Sequence, residues 1–243
     1  MHQSLLIIPA YNEEQNIIKT IDSVLMQNLS IDILVIDDGS QDNTAKLVIE
    51  KGISIVLLPF NLGYGGAIQT GYKYAVLNNY RSVIQFDADG QHDAKDIGTI
   101  LNLLNDGKYD IVIGSRFVEG KNKHKSILKR IAVSLFNKII YLSTKQNLSD
   151  PTSGLKGLNY PVFSYFSKMY NLPMDYPDAD VLINVLKCGF KIIEFPATMH
   201  DRRLGISMHS GIRPIYYFIK VCFSILIISI RWMILKREDI LNG

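Results

Sequence analysis

The sequence predicts an α/β fold with a mostly parallel sheet flanked by helices, and three observations predict it. Short apolar runs alternate with segments of helical periodicity from residue 4 to residue 116. The runs are nearly continuous in Ile, Val and Leu, as expected of strands covered on both faces. Polar residues collect where the runs end, and ligands of open α/β sheets bind beyond the carboxyl ends of the strands.

The elements follow in order. "SLLIIPA" (4–10) is a buried strand ended by Pro9, and residues 13–28 place Ile17, Ile18, Ile21, Val24 and Leu25 at helical spacing. "DILVIDDGS" (32–40) is a second strand running into acids, and 42–52 a helix stopped by Gly52. "ISIVLLP" (53–59) is a third strand, followed by a glycine-opened helix over 65–79. A strand over 81–89, a helix over 94–107 and a strand over 109–116 complete the alternation. Such alternation implies right-handed crossovers.

Five strand ends thereby converge on one rim: Tyr11, Asn12 and Glu13; Asp37 and Asp38; Asn61; Asp87 and Asp89; and Arg116. Asp87 and Asp89 lie one residue apart, and paired carboxylates repel unless positive charge offsets them. With oxygen donors only, they suit a hard cation, Mg²⁺ or Mn²⁺, that shares its remaining sites with phosphates. The spacing lacks the glycine of a calcium loop, and no Cys/His cluster argues for zinc. Asp37 and Asp38 read either as turn and capping acids or as acceptors for a nucleobase or ribose. The glycines of "NLGYGGA" permit close approach of backbone to a ligand, but their spacing is not that of the dinucleotide fingerprint.

The chain has 243 residues, enough for one large domain with an appendage, and a net charge of +3. Residues 121–145 carry seven Lys/Arg and no acid, interleaved with Ile, Leu and Phe. That pattern favours an anionic membrane surface or phosphorylated lipid over nucleic acid, for which no recognition module is present. Cys188 and Cys222 sit in apolar surroundings and read as reduced, and no signal peptide opens the chain. Residues 215–235 hold 17 apolar residues in 21. Lys220 and Arg231 would lie about 16 Å apart along a helix, too close to reach both faces of a bilayer core about 30 Å thick. A C-terminal amphipathic helix, lying in the interface or packed on a second copy of the chain, is the expectation.

The motifs "IIPAYNEE", "VIDDGSQDNT", "NLGYGGAIQTG" and "FDADGQH", in that order, resemble an inverting family 2 glycosyltransferase of the GT-A (Rossmann-like) fold. The polyprenyl-phosphate sugar transferases, of the dolichyl-phosphate mannose synthase type, are the most similar branch. "GSRF" (114–117), "DPTSGLKG" (150–157), residues 176–196 and "DRRLGIS" (201–207) extend the resemblance over roughly residues 4–210. It implies a catalytic domain over 1–210 and a membrane-associated or dimerisation helix over 211–243. It implies that Pro9 to Glu13 and Asp37 bind the nucleotide, with Asp38, Asn61, Gly65 and Ala88 on the same donor surface. Asp87, Asp89 and Gln91 would hold the metal that bridges the diphosphate. Arg116 and Arg202 would contact phosphate charge, with Ser153 and Ser207 on the acceptor side. The implied reaction moves a sugar from a UDP- or GDP-sugar to a polyprenyl phosphate or lipid-linked saccharide at the cytoplasmic membrane face.

A lipid-phosphate acceptor needs no general base, because it is already anionic. A hydroxyl acceptor does, and Asp178, then Asp150, are the candidates. His92, His200 and His209 read as solvated loop histidines. Two other readings stand beside this one. A nucleotidyltransferase would need a "GxGxRxxPLT"-type loop that the first strand lacks. A catalytically degenerate nucleotide-binding scaffold subunit would not need the intact Asp87/Asp89 pair.

Overall fold

The computed structural model describes residues 4–118, 137–168 apart from 139 and 143, and 179–200. The elements are β1 (Ser4–Ala10), α1 (Ile17–Leu25), β2 (Asp32–Asp37), α2 (Thr44–Glu50), β3 (Ser54–Leu57), α3 (Tyr64–Leu77), β4 (Ser82–Gln85), α4 (Asp96–Asn105), β5 (Ile111–Ser115), β6 (Lys156–Asn159), α5 (Tyr160–Ser167), α6 (Ala179–Lys187) and β7 (Ile192–Pro196). All nine expected elements up to residue 116 are present, most of them shorter than predicted. The first helix starts at Ile17 rather than near residue 13 because the Glu13 carbonyl accepts both the Asn16 and Ile17 N–H groups, closing a turn first. β4 stops at Gln85, so Asp87 and Asp89 stand on the turn beyond it.

One seven-stranded sheet runs in the order β3-β2-β1-β4-β6-β5-β7. β1 pairs parallel with β2 on one side and β4 on the other, and this is where the chain reverses its direction of travel across the sheet. β6 is the exception to parallel pairing, running antiparallel between β4 and β5. The expectation of a mostly parallel sheet therefore stands, with one inserted strand that no periodicity announced. "KGLN" lacks a strand pattern because Gly157 must be small: a Cβ there would lie against Ile100 and 2.9 Å from Leu104 on α4.

Successive strand residues point to opposite faces, and each face builds its own core. Leu5, Ile7, Leu34, Ile36 and Val83 pack against α3, α5 and α6 through Ile68, Tyr72, Phe163 and Ile183. Leu6, Ile8, Val35, Ile84 and Phe86 pack against α1, α2 and α4 through Ile17, Ile21, Val48 and Ile97. Each such Ile or Leu contributes roughly 1.5–3 kcal/mol relative to exposure. Among the described residues, the result is a sheet sandwiched between helical layers. No helix among the described residues is long and apolar enough to cross a membrane. Asp178, Arg202, Ser207, His209, Cys222, most of the basic stretch and all of residues 211–243 lie outside the described residues.

Candidate active site

The carboxyl ends of β1 and β2 carry two loops that are sewn together. The Asn12 N–H donates to Ser40 Oγ (2.9 Å), the Glu13 N–H to Thr44 Oγ1 (2.8 Å) and the Glu14 N–H to Asp42 (3.1 Å). In return the Gln41 N–H donates to Asn12 Oδ1 (2.8 Å). Asn12 holds φ +54°, a left-handed conformation that asparagine tolerates. Tyr11 is exposed above this seam, while Pro9 and Ala10 are buried in β1.

The two neighbouring aspartates of "IDDGS" have different duties. Asp38 accepts the Leu62 and Gly63 N–H groups, one on each oxygen (2.7 and 2.9 Å), and so pins the glycine loop that opens α3. Burial pushes the Asp38 carboxyl up, against those two hydrogen bonds. Asp37 accepts the Ser40 N–H on Oδ2 (3.2 Å), and its buried Oδ1 has no hydrogen-bond partner among the described residues. A buried acceptor without a donor costs about 1–3 kcal/mol, so Asp37 Oδ1 is the oxygen here that a ligand N–H or O–H would relieve. Asn61 is exposed beside this loop, and its Oδ1 accepts the Gly63 N–H (3.1 Å); Gly65 is buried in the first turn of α3.

Beyond β4, Asp87 is held from several directions. The Tyr64 hydroxyl donates to Oδ1 (3.0 Å) and His92 Nε2 lies 3.2 Å from Oδ2. Gly154 lies so near that a Cβ on it would overlap the carboxylate. Burial raises the Asp87 carboxyl, but the His92 hydrogen bond and charge, Tyr64 and the Lys156 ammonium outweigh it and hold the carboxyl below its ordinary range. Lys156, buried on β6 in register with Gln85, is a positive group beside Asp87. Asp89 accepts the Gln91 N–H on Oδ1 (3.0 Å), and buried Ala88 gives its carbonyl to Thr20 of α1 (2.9 Å). His92 corrects the expectation of a solvated loop histidine: its side chain is 3% exposed. Neither nitrogen of a buried ring is announced by sequence. His200 is exposed and lies 3.3 Å from Asp93.

Arg116, at the end of β5, is clamped. Its Nε and Nη2 donate to the two oxygens of Asp150 (2.6 Å each), and Nη2 also donates to Thr152 Oγ1 (2.8 Å). Asp150 is fully buried, so both oxygens serve the guanidinium and it is not placed to take a proton from an acceptor. Glu194 of β7 accepts the Ser149 and Asp150 N–H groups (2.6 and 2.8 Å), and burial pushes its carboxyl up. Ser153 is turned inward, donating to the Gly114 carbonyl (2.6 Å) and accepting the Leu155 N–H (3.2 Å). The 150–154 loop thus touches Arg116 through Asp150 and Thr152 and touches Asp87 through Gly154. It joins the arginine to the carboxylate pair, and Tyr64, His92, Gly154 and Lys156 are the residues that sequence reasoning did not assign to the site.

Residues 5–166, more than half of the chain, match the family model described as glycosyl transferase family 2. The chain belongs to that family. As a family 2 glycosyltransferase it is an enzyme, and its named relatives are transferases. It is 28% identical over 222 residues to the polyprenol monophosphomannose synthase of Mycolicibacterium smegmatis, covering 86% of this chain and 82% of that protein. It is 30% identical over 235 residues to the UDP-N-acetylglucosamine–dolichyl-phosphate N-acetylglucosaminyltransferase of Methanococcus voltae, covering 87% and 92%. Among solved structures, the fold superposes on glucosyl-3-phosphoglycerate synthase from Mycobacterium tuberculosis, in complex with Mn²⁺ and UDP-glucose. The TM-score is 0.68 at 16% identity, over 93% of this chain and 78% of that one. The GT-A architecture expected of this family 2 glycosyltransferase is therefore the one observed.

Proposed function

We propose that this glycosyltransferase moves a sugar, with inversion, from a nucleotide-sugar to a polyprenyl phosphate or lipid-linked saccharide, using Mn²⁺ or Mg²⁺. The observation that carries the donor half is the pair Asp87 and Asp89 on the turn beyond β4, at the switch point of the sheet, with the Asp87 carboxyl held below its ordinary range. Such a set fits a hard divalent cation held by Asp87, Asp89 and Gln91. When bound, that cation stabilises the charge that develops on a departing nucleoside diphosphate. Asp37 Oδ1, buried and unpartnered, is the acceptor for a base or ribose donor group, on the rim shared with Pro9 to Glu13. The Asp38 clamp fixes the glycine loop on the same side.

The acceptor half is supported by the relatives, whose names specify polyprenol and dolichyl-phosphate products or substrates. An anionic lipid phosphate attacks without a general base, which agrees with Asp150 being committed to Arg116. For a hydroxyl acceptor the base is assigned to Asp178. Arg116, Arg202, Ser153 and Ser207 belong to the acceptor side of this reading, Arg116 as a group oriented by Asp150 and Ser153 as a loop support. The enzyme works peripherally at the inner membrane face, with residues 121–145 and 211–243 meeting the lipid surface or a second copy.

The donor is tested by thermal shift with UDP, GDP, CDP and dTDP, each with Mn²⁺ and with EDTA, on wild type and Asp89→Ala. A nucleotide at 100 times its Kd adds about 2.7 kcal/mol of stability. A Mn²⁺-dependent rise in Tm for one nucleotide, lost in the variant, is the expected result. No rise with any of the four would overturn the donor assignment, and a rise that is independent of Mn²⁺ and kept in Asp89→Ala would favour the nucleotide-binding scaffold.

A further inference from the structure

We propose that Tyr64 and His92 are positioning residues that fix the orientation of the Asp87 carboxylate for a divalent cation. The inference rests on the reading of Asp87 as a cation ligand and assigns roles to two residues outside that ligand set.

A carboxylate on a turn is free to rotate about its last side-chain bond, whose torsional profile is broad. At Asp87 that freedom is removed from three directions. Tyr64, the first residue of α3, donates to Oδ1 at 3.0 Å. His92 Nε2 sits 3.2 Å from Oδ2, and a carboxylate can only accept, so the ring donates. Gly154 closes another side, with no room there for even a Cβ. Each oxygen gives one lone-pair direction to its donor and keeps another for a cation.

Both donors are themselves held. Tyr64 follows directly on Leu62 and Gly63, whose N–H groups Asp38 clamps. His92 packs against Phe86, ring centroids 6.0 Å apart, and its backbone bridges Met199. The neighbouring Gln91 carbonyl accepts the His200 N–H (2.8 Å) and the Asp93 N–H donates to the Thr198 carbonyl (3.3 Å). The Asp87 carboxylate is therefore tied at one oxygen to the glycine loop of the donor side. At the other it is tied to the chain just after β7. Among the described residues, buried His92 Nδ1 has no hydrogen-bond partner. Removing a partner that orients a ligand in this way commonly costs about 10- to 100-fold in metal affinity.

The test titrates Mn²⁺ alone into the full chain and follows the free aqua ion by electron paramagnetic resonance, with Tm recorded for each variant. Tyr64→Phe removes only a hydroxyl, His92→Leu removes the donor, and His92→Gln keeps an N–H near the same place. Asp87→Asn is the control for the ligand itself. The expected result is loss of binding in Asp87→Asn and a rise of about 10- to 100-fold in the Mn²⁺ Kd for Tyr64→Phe and His92→Leu. His92→Gln should recover part of the affinity. Should His92→Leu fail to fold, Tyr64→Phe decides alone. Loss of binding in Asp87→Asn with wild-type Kd in Tyr64→Phe would overturn the positioning role and leave the ligand assignment intact. Wild-type binding in Asp87→Asn would overturn the ligand assignment, and the positioning role with it.

Discussion

Replacing Arg116 with methionine is expected to lower stability by about 3–5 kcal/mol, read as a fall in the urea midpoint. Asp150 is fully buried, and the guanidinium meets both of its oxygens. Without that fork, a carboxylate stays in the interior beside Glu194, whose own carboxyl is raised by burial and by the charge of Asp150. The remaining donors, the Arg116 N–H (3.0 Å) and the Thr152 hydroxyl (3.3 Å), do not neutralise it. Arg116→Lys keeps the charge and loses the fork, so it should fall between. Asp150→Asn combined with Arg116→Met should recover part of the loss, because the stranded charge is gone. The consequence for function is direct: lost activity in an Arg116 variant does not by itself show a phosphate contact. A wild-type midpoint in Arg116→Met, with activity lost, would contradict the clamp and assign the guanidinium to the ligand alone.

Gly154→Ala is expected to reduce turnover by about 100-fold or more, with a smaller effect on the fold. An added Cβ would overlap Asp87 Oδ2 and lie 2.7 Å from its Cγ and 2.8 Å from its Oδ1. The carboxylate must then swing away from Tyr64 and His92, or the 150–154 loop must retreat and take Thr152 and Asp150 with it. Either movement disturbs the place where charge is to be stabilised. The checks are turnover and the Mn²⁺-dependent nucleotide shift, measured beside the urea midpoint. Unchanged turnover would mean that the contact between Gly154 and Asp87 has no part in the reaction.

Much of this site was legible because the strands were legible. Continuous apolar runs marked β1 to β5, and a parallel sheet puts all their carboxyl ends on one rim, so Tyr11, Asp37, Asp87 and Arg116 were gathered without coordinates. Adjacent residues of one type defeated that logic. The chemistry of "DD" does not distinguish Asp37 from Asp38, and only the family resemblance singled out Asp37, yet alternation along the chain sends them to different sides, with Asp38 clamping the glycine loop. β6 was hidden because its glycine and lysine answer to neighbours far along the chain, Gly157 to α4 and Lys156 to Asp87. The same holds for His92, whose burial is decided by Phe86, Asp87 and the chain after β7. Long-range contacts of polar residues leave no periodic trace, whereas apolar faces do.

Sugar transfer from a nucleotide to a lipid phosphate leaves a product that can be weighed. Its most direct measurement is mass spectrometry of the lipid fraction after purified enzyme, Mn²⁺ and a short-chain polyprenyl phosphate are incubated with UDP-glucose, UDP-galactose, UDP-N-acetylglucosamine or GDP-mannose in turn. One donor is expected to yield a glycosyl polyprenyl phosphate, absent with EDTA and absent in Asp87→Asn. Release of nucleotide with no sugar on the lipid, or an equal yield from Asp87→Asn, would contradict it.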